Sequence, residues 1–228
     1  VEGANILTRT LIIFGQGALR AHPYAFREVN AIEKNDLKEF DDAFWGHVGH
    51  VIVNMFRSIL LTLTRGGVAM RWGGRESKYY RRLAWASASF AIMSDIAMAS
   101  LGGKLKMKEK ITGRFADILS WMFIATALLR RFRAEGSRKE DLPFLHFTLN
   151  HAFCQIQRAF DGLYANLEVP GLRWLFAGPI RWWSQLNPMG GEDKDSHTHK
   201  IATLIMTNGE LRNRITDGIY LPKDANES

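Results

Sequence analysis

The chain has 228 residues, 46% hydrophobic and 23% charged, with a formal net charge of +7. That is ample for a sizeable core, and the single cysteine, Cys154, excludes an internal disulfide. The basic balance favours anionic partners, but no nucleic-acid motif accompanies it, which leaves phosphate groups or an anionic membrane surface.

Nearly every segment reads as helix. Helices are predicted over 5–20, 23–34, 37–65, 76–101, 109–134, 142–167, 195–206 and 209–216. The first opens on Val1-Glu2-Gly3-Ala4-Asn5 and continues through Leu7, Leu11, Phe14 and Leu19 at helical spacing. An acid in that place faces the positive end of a helix dipole, which explains Glu2 without any function. Because the chain opens inside such a turn, it reads as a piece of a longer protein.

Pro23 and Pro143 suit first helical turns, where a missing N–H costs little. Asp36 with Glu39 three residues on resembles a capping box. Gly66-Gly67, Gly102-Gly103 and Gly136 sit where helices should stop. In 109–134, Ile111, Phe115, Ile118, Leu119, Met122, Ala125 and Leu129 form one apolar stripe. No sustained apolar–polar alternation supports strands. A membrane span needs roughly 20 consecutive apolar residues. Asp95 and several serines interrupt the stretch 83–103, and 118–129 runs into Arg130-Arg131.

The four long helices with short connections imply an all-α fold, an antiparallel helical bundle about 40 Å long at 1.5 Å per residue. One end should gather Arg65, Arg71, Arg75, Arg131, Arg133, Arg138 and Lys139. The other should gather Lys104, Lys106, Lys108 and Lys110 with the exit near 167. That exit leads into Leu172-Arg173-Trp174-Leu175-Phe176-Ala177-Gly178-Pro179-Ile180-Arg181-Trp182-Trp183, which holds three of the 7 tryptophans. Two readings stand. The segment folds over the bundle and buries its Trp, or Trp174, Arg181, Trp182 and Trp183 join Lys104, Lys106 and Lys108 in facing a membrane surface.

Other constellations point to structure. His47 and His50 lack further ligands at metal spacing. His197 and His199 flank a helix start, His151 and Cys154 have no acid nearby, and Asp95 suits a pairing with an arginine such as Arg114. Arg71-Trp72-Gly73-Gly74-Arg75 has neither the spacing nor the strand of a dinucleotide fingerprint, so no self-sufficient flavin site is expected, and no metal.

Glu2-Gly3-x-Asn5-x-x-x-Arg9 resembles the Glu-Gly-Thr-Asn-x-x-x-Arg segment that closes the catalytic unit of acyl-CoA dehydrogenases. Thr8–Arg20, His47-Val48-Gly49-His50, Leu101–Lys106, Ala116–Ser120 and Glu140–Pro143 resemble the extra C-terminal domain of the bacterial FadE-type long-chain members. The resemblance implies three parts: 1–20 as the last catalytic-core helix segment, 21–168 as a helical bundle, and 169–228 as the Trp/Arg-rich segment with short terminal helices. It implies Glu2 as the catalytic base taking the α-proton of a long-chain acyl-CoA, with hydride transfer to FAD giving the trans-2-enoyl thioester of fatty-acid β-oxidation. It places Gly3 at the flavin, with FAD bound mainly by upstream residues, so the chain alone should be inactive. Ala4 departs from the family's usual Thr, which removes a hydroxyl contact to the flavin, and Ile6 stands where many members carry a polar residue. Further implied are an electron-transfer flavoprotein or similar acceptor and a homodimer; the Trp/Arg segment and the lysine loop add the expectation of a cytoplasmic place, peripheral on the inner face of the bacterial inner membrane. The rival reading is a non-catalytic helical module docking on membrane or on a partner subunit.

Overall fold

Helix follows helix with short connections in the computed structural model, which describes residues 2–69, 74–191 and 194–220, without the side chains of 2, 15, 18 and 19. No strand occurs among the described residues. The chain opens with α1 (Glu2–Leu7), a π-helical stretch Thr8–Gln16 and α2 (Gly17–Ala21). Then come α3 (Ala25–Glu33) and the four long helices α4 (Leu37–Leu63), α5 (Ser77–Leu101), α6 (Glu109–Ala134) and α7 (Leu142–Asn166). Short helices follow: α8 (Arg173–Leu175), α9 (Arg181–Leu186), α10 (Asp195–Thr207) and α11 (Gly209–Ile215).

The punctuation signals act as expected. Asp36 Oδ1 accepts from the Glu39 N–H at 3.1 Å and caps α4. At the other end of α4 the chain turns through positive φ at Arg65 and Gly66, and the Gly66 N–H reaches back to Leu61 C=O at 2.7 Å. A Cβ on Gly66 would sit 2.6 Å from the Arg81 carbonyl oxygen, so glycine is also what lets α5 approach. Pro143 occupies the first turn of α7. Pro23 does not start a helix. It lies in a turn where His22 Nδ1 accepts from the N–H groups of Tyr24 and Ala25, and α3 begins at Ala25.

The antiparallel order shows in contacts across helix ends. Arg133 at the end of α6 meets Glu76 ahead of α5 at 2.9 Å. Lys108 ahead of α6 meets Glu168 after α7 at 3.0 Å. The core lies between α6 and α7, where Phe115, Ile118, Leu129, Leu149, Phe153, Ile156 and Leu163 are fully buried. Of the expected α6 stripe, Leu119 is an exception, being exposed. The seam keeps positions 111, 115, 118, 122, 125 and 129, spaced three or four apart. Leu119 is one residue off that row, about 100° round the helix. By length and composition Ser77–Met107 and Glu109–Ala134 would suffice to cross a membrane. In this fold they pack around the common core, Asp95 included.

Candidate functional site

The opening helix is held by α6. Phe14 is buried and stacks on Phe115 with ring centroids 4.3 Å apart, while Phe90 meets both rings edge-on. A Cβ on Gly113 would lie 3.2 Å from the Arg9 guanidinium and 3.4 Å from the Thr10 methyl, so this glycine sets the approach. Arg9 pairs with Asp117 at 3.3 Å. Burial pushes the Asp117 carboxyl up, and Arg9 and Arg114 pull it back. Thr10 Oγ1 donates to Ile6 C=O at 2.8 Å. Ahead of this anchor, residues 3–9 are exposed, Leu7 of the apolar pattern among them. Glu2 is the first residue of α1, and its side chain lies outside those described.

A second group forms where no sequence spacing signalled it. His22, His47 and Asp95 bring one possible ligand atom each to within 4.8 Å of one another. His22 and Asp95 are 73 positions apart, and this pairing replaces the expected contact of Asp95 with Arg114. The proton arrangement argues for a structural pin. His22 Nδ1 accepts two backbone N–H groups, so its proton sits on Nε2 and is donated to Asp95 Oδ1 at 3.2 Å. His47 Nδ1 donates to Glu28 at 2.8 Å. A metal on His22 Nε2 would force a proton onto Nδ1 against two donors. The pin ties the α2–α3 turn to α4 and α5. His50 extends it, accepting from Asn54 Nδ2 at 2.8 Å.

The Trp/Arg segment is helical, which the sequence did not suggest because Pro179 interrupts it. The chain accommodates the missing N–H with a π-helical stretch, Phe176–Ile180, between α8 and α9. Phe176 is buried on the bundle, but Trp174 is 67% and Trp182 63% exposed, and Trp183 is exposed too. The reading of a cap that buries its tryptophans is therefore corrected. So is the grouping of all of them with the lysine end. The segment starts there, beside Lys108 and Glu168, then runs back along α7. Ser184 donates to Asp161, Met189 N–H donates to Gln157, and Gly190 lies against the Phe153–Cys154 backbone. Arg65 donates to Asn187 from Nε at 2.9 Å, joining this strap to the end of α4. Trp182 and Trp183 thus lie on the flank of the bundle. Lys104 and Lys106 are exposed, and Lys108 is engaged by Glu168, whose carboxyl it holds below the usual range. Arg181 is half-buried.

The sequence matches the family described as acyl-CoA dehydrogenase, C-terminal, bacterial type, over residues 19–228. The chain belongs to that family. No solved structure matches it. The helical architecture is that of an all-α acyl-CoA dehydrogenase C-terminal domain. The match begins at Leu19, so the Glu2–Thr8 segment precedes it.

Acyl-CoA dehydrogenases generally use FAD. The described residues of this C-terminal domain do not build a flavin cradle. A Cβ on Gly3 would meet nothing within 4 Å, and α1 is exposed from Gly3 onward. The clefts that border Pro179 and His146 are lined by other elements. The segment Arg71-Trp72-Gly73 lies outside the described residues.

Proposed function

We propose that the chain is the C-terminal portion of a FAD-dependent acyl-CoA dehydrogenase that forms trans-2-enoyl-CoA from long-chain acyl-CoA in fatty-acid β-oxidation. The observation that carries this reading is the family match over 19–228. Its support at the chemical level is Glu2-Gly3-x-Asn5 at the head of the helix that α6 anchors. In this reading Glu2 takes the proton from the α-carbon, and Gly3 keeps the backbone beside it free of a side chain. Upstream parts of the enzyme hold the FAD, and electrons leave through an electron-transfer flavoprotein or similar acceptor. The assembly is a homodimer. In the enzyme containing this chain, Glu2→Gln keeps the shape and removes the base. Acyl-CoA-dependent dye reduction should then fall by at least about a hundredfold. Near-normal turnover by that variant would remove Glu2 from the mechanism.

The exposure of Trp174 and Trp182 favours a second, compatible reading, a peripheral position on the inner face of the membrane. Trp174, where the segment leaves the lysine end, and Trp182 and Trp183, further along the flank, supply apolar anchoring. Lys104 and Lys106 add about 1 kcal/mol each near anionic lipid. Co-sedimentation with anionic vesicles should weaken with salt and drop when Trp182 and Trp183 become Ser. Unchanged binding by the double variant, or no binding by the original, contradicts this docking mode.

A further inference from the structure

A cleft of about 410 Å³ opens between the first turns of α5 and α7 and the side of α10. Its lining carries Lys78, Lys139, His146, His197 and Lys200, with no carboxylate among the described residues that line it. Glu76 and Asp141, at the starts of α5 and α7, are turned to other partners, while Asp195, the first residue of α10, is exposed and does not line the cleft. Glu76 is paired with Arg133 at 2.9 Å, and Asp141 accepts from Arg214 at 2.8 Å. Positive charge is crowded here. Burial and the neighbouring Arg82 push Lys78 below the ordinary lysine range. Burial and Lys78 push His146 down. His146 is held neutral with its Nδ1 accepting from the Tyr79 hydroxyl at 2.7 Å.

The backbone adds to the same sign. Lys78, Tyr79, Leu142, Pro143 and His197 all belong to first turns, of α5, α7 and α10. None of those three helices has a side-chain N-cap, whereas α4 and α11 are capped by Asp36 and Asn208. The starts of α5 and α7 and the flank of α10 therefore converge where Lys78, Lys139 and Lys200 already gather. Leu142, Phe147 and Ile201 add apolar lining. A small-molecule pocket typically spans about 300–1,000 Å³, so the space suits a compact ligand.

We propose that this cleft binds the phosphate group of a small phosphomonoester of nucleotide size, with the cations taking the charge and the apolar lining taking the body. This site is separate from the Glu2 chemistry and does not depend on it.

The test is calorimetric titration of the full chain with adenosine 5′-monophosphate, inorganic phosphate and adenosine at fixed ionic strength. The monophosphate and inorganic phosphate should bind and adenosine should not. Tighter binding of the monophosphate identifies the organic body as part of the ligand, and equal binding identifies free phosphate as the source. Changing Lys78, Lys139 and Lys200 to Gln should weaken binding by at least about tenfold, because each removes a charge within a Debye length of the anion. All three side chains are exposed, and an unchanged melting temperature verifies the fold. A second triple, Lys34, Lys38 and Lys110 to Gln, should bind as the original. The inference is overturned if neither phosphate compound binds, if adenosine binds as well as its monophosphate, or if the cleft triple loses no more affinity than the second triple.

Discussion

The α6–α7 core and α4 use the same kinds of residue to opposite ends. On α6 and α7 the large apolar side chains point inward, and Phe115, Phe153 and Leu129 are 0% exposed. On α4 the buried face consists of Ala43, Asn54, Ser58 and Leu61, while Trp45 is 68% and Phe56 65% exposed, alongside Val53, Leu60 and Leu63. The physical cause is position. α6 lies between neighbours, whereas α4 packs mainly on α3 and α5 at the edge of the row. Small and hydrogen-bonding residues let α4 sit close to its neighbours. Its outer side is left as a contiguous apolar surface of the kind that marks interaction sites. Apolar spacing tells which residues share a face of a helix. It does not tell whether that face is covered from within the chain.

The comparison breaks most readily by truncation. Phe115→Ala empties a closed site beneath Phe14 and Phe90 and should cost about 3–5 kcal/mol in urea unfolding. Phe56→Ala, on the exposed face, should stay within about 0.5 kcal/mol. Equal losses would mean that α4 is buried in the folded chain.

A smaller effect is expected at the strap. A Cβ on Gly190 would lie 2.5 Å from the Phe153 carbonyl carbon, a backbone atom that cannot yield. Gly190→Ala should cost about 1–3 kcal/mol and raise proteolysis around 173–190. Gly191→Ala, with open space at its Cβ, should be neutral and serves as the paired control.

The pH response is smaller again. His146 is held below the ordinary histidine range, chiefly by burial, so the unfolded chain binds this proton more readily than the folded one. Its contribution is present above the unfolded value, near pH 6.5, and is lost as pH falls toward the depressed folded value. Melting temperature should therefore drop between about pH 7 and 5, and less so in His146→Gln. An equal drop in both would assign the effect to other groups. The gentlest test is dye binding. Fluorescence of anilinonaphthalene sulfonate on the folded chain should fall when Val53 and Phe56 become Ser, with no change in melting temperature.

Much of the fold was legible because helix punctuation is local. Asp36, Gly66 and Pro143 act within one turn, and the long helices fall within about two residues of their expected ends. What was not legible is long-range. The His22–Asp95 pin joins residues 73 apart, and only the fold brings His47 beside them. The basic cleft gathers Lys78, Lys139 and Lys200 from three separate elements, the starts of α5 and α7 and the second turn of α10. Helicity through Pro179 was hidden because a π-helical stretch absorbs the missing donor. The direction of the Trp strap was hidden because a chain leaving α7 can turn outward or back, and Gln157, Asp161 and Arg65 decide it by hydrogen bonds. Glu2 is different in kind. Its proposed role comes from a short motif read locally along the chain.

The measurement that meets this most directly is exchange of the α-hydrogens of a fatty acyl-CoA in deuterated water by the flavin-loaded enzyme, without an external electron acceptor. Proton removal at the α-carbon is then read separately from onward electron transfer. Deuterium should enter the α-position with Glu2 present and fall to the uncatalysed level in Glu2→Gln, while acyl-CoA affinity is kept. Undiminished exchange in that variant would contradict the assignment of Glu2 as the base.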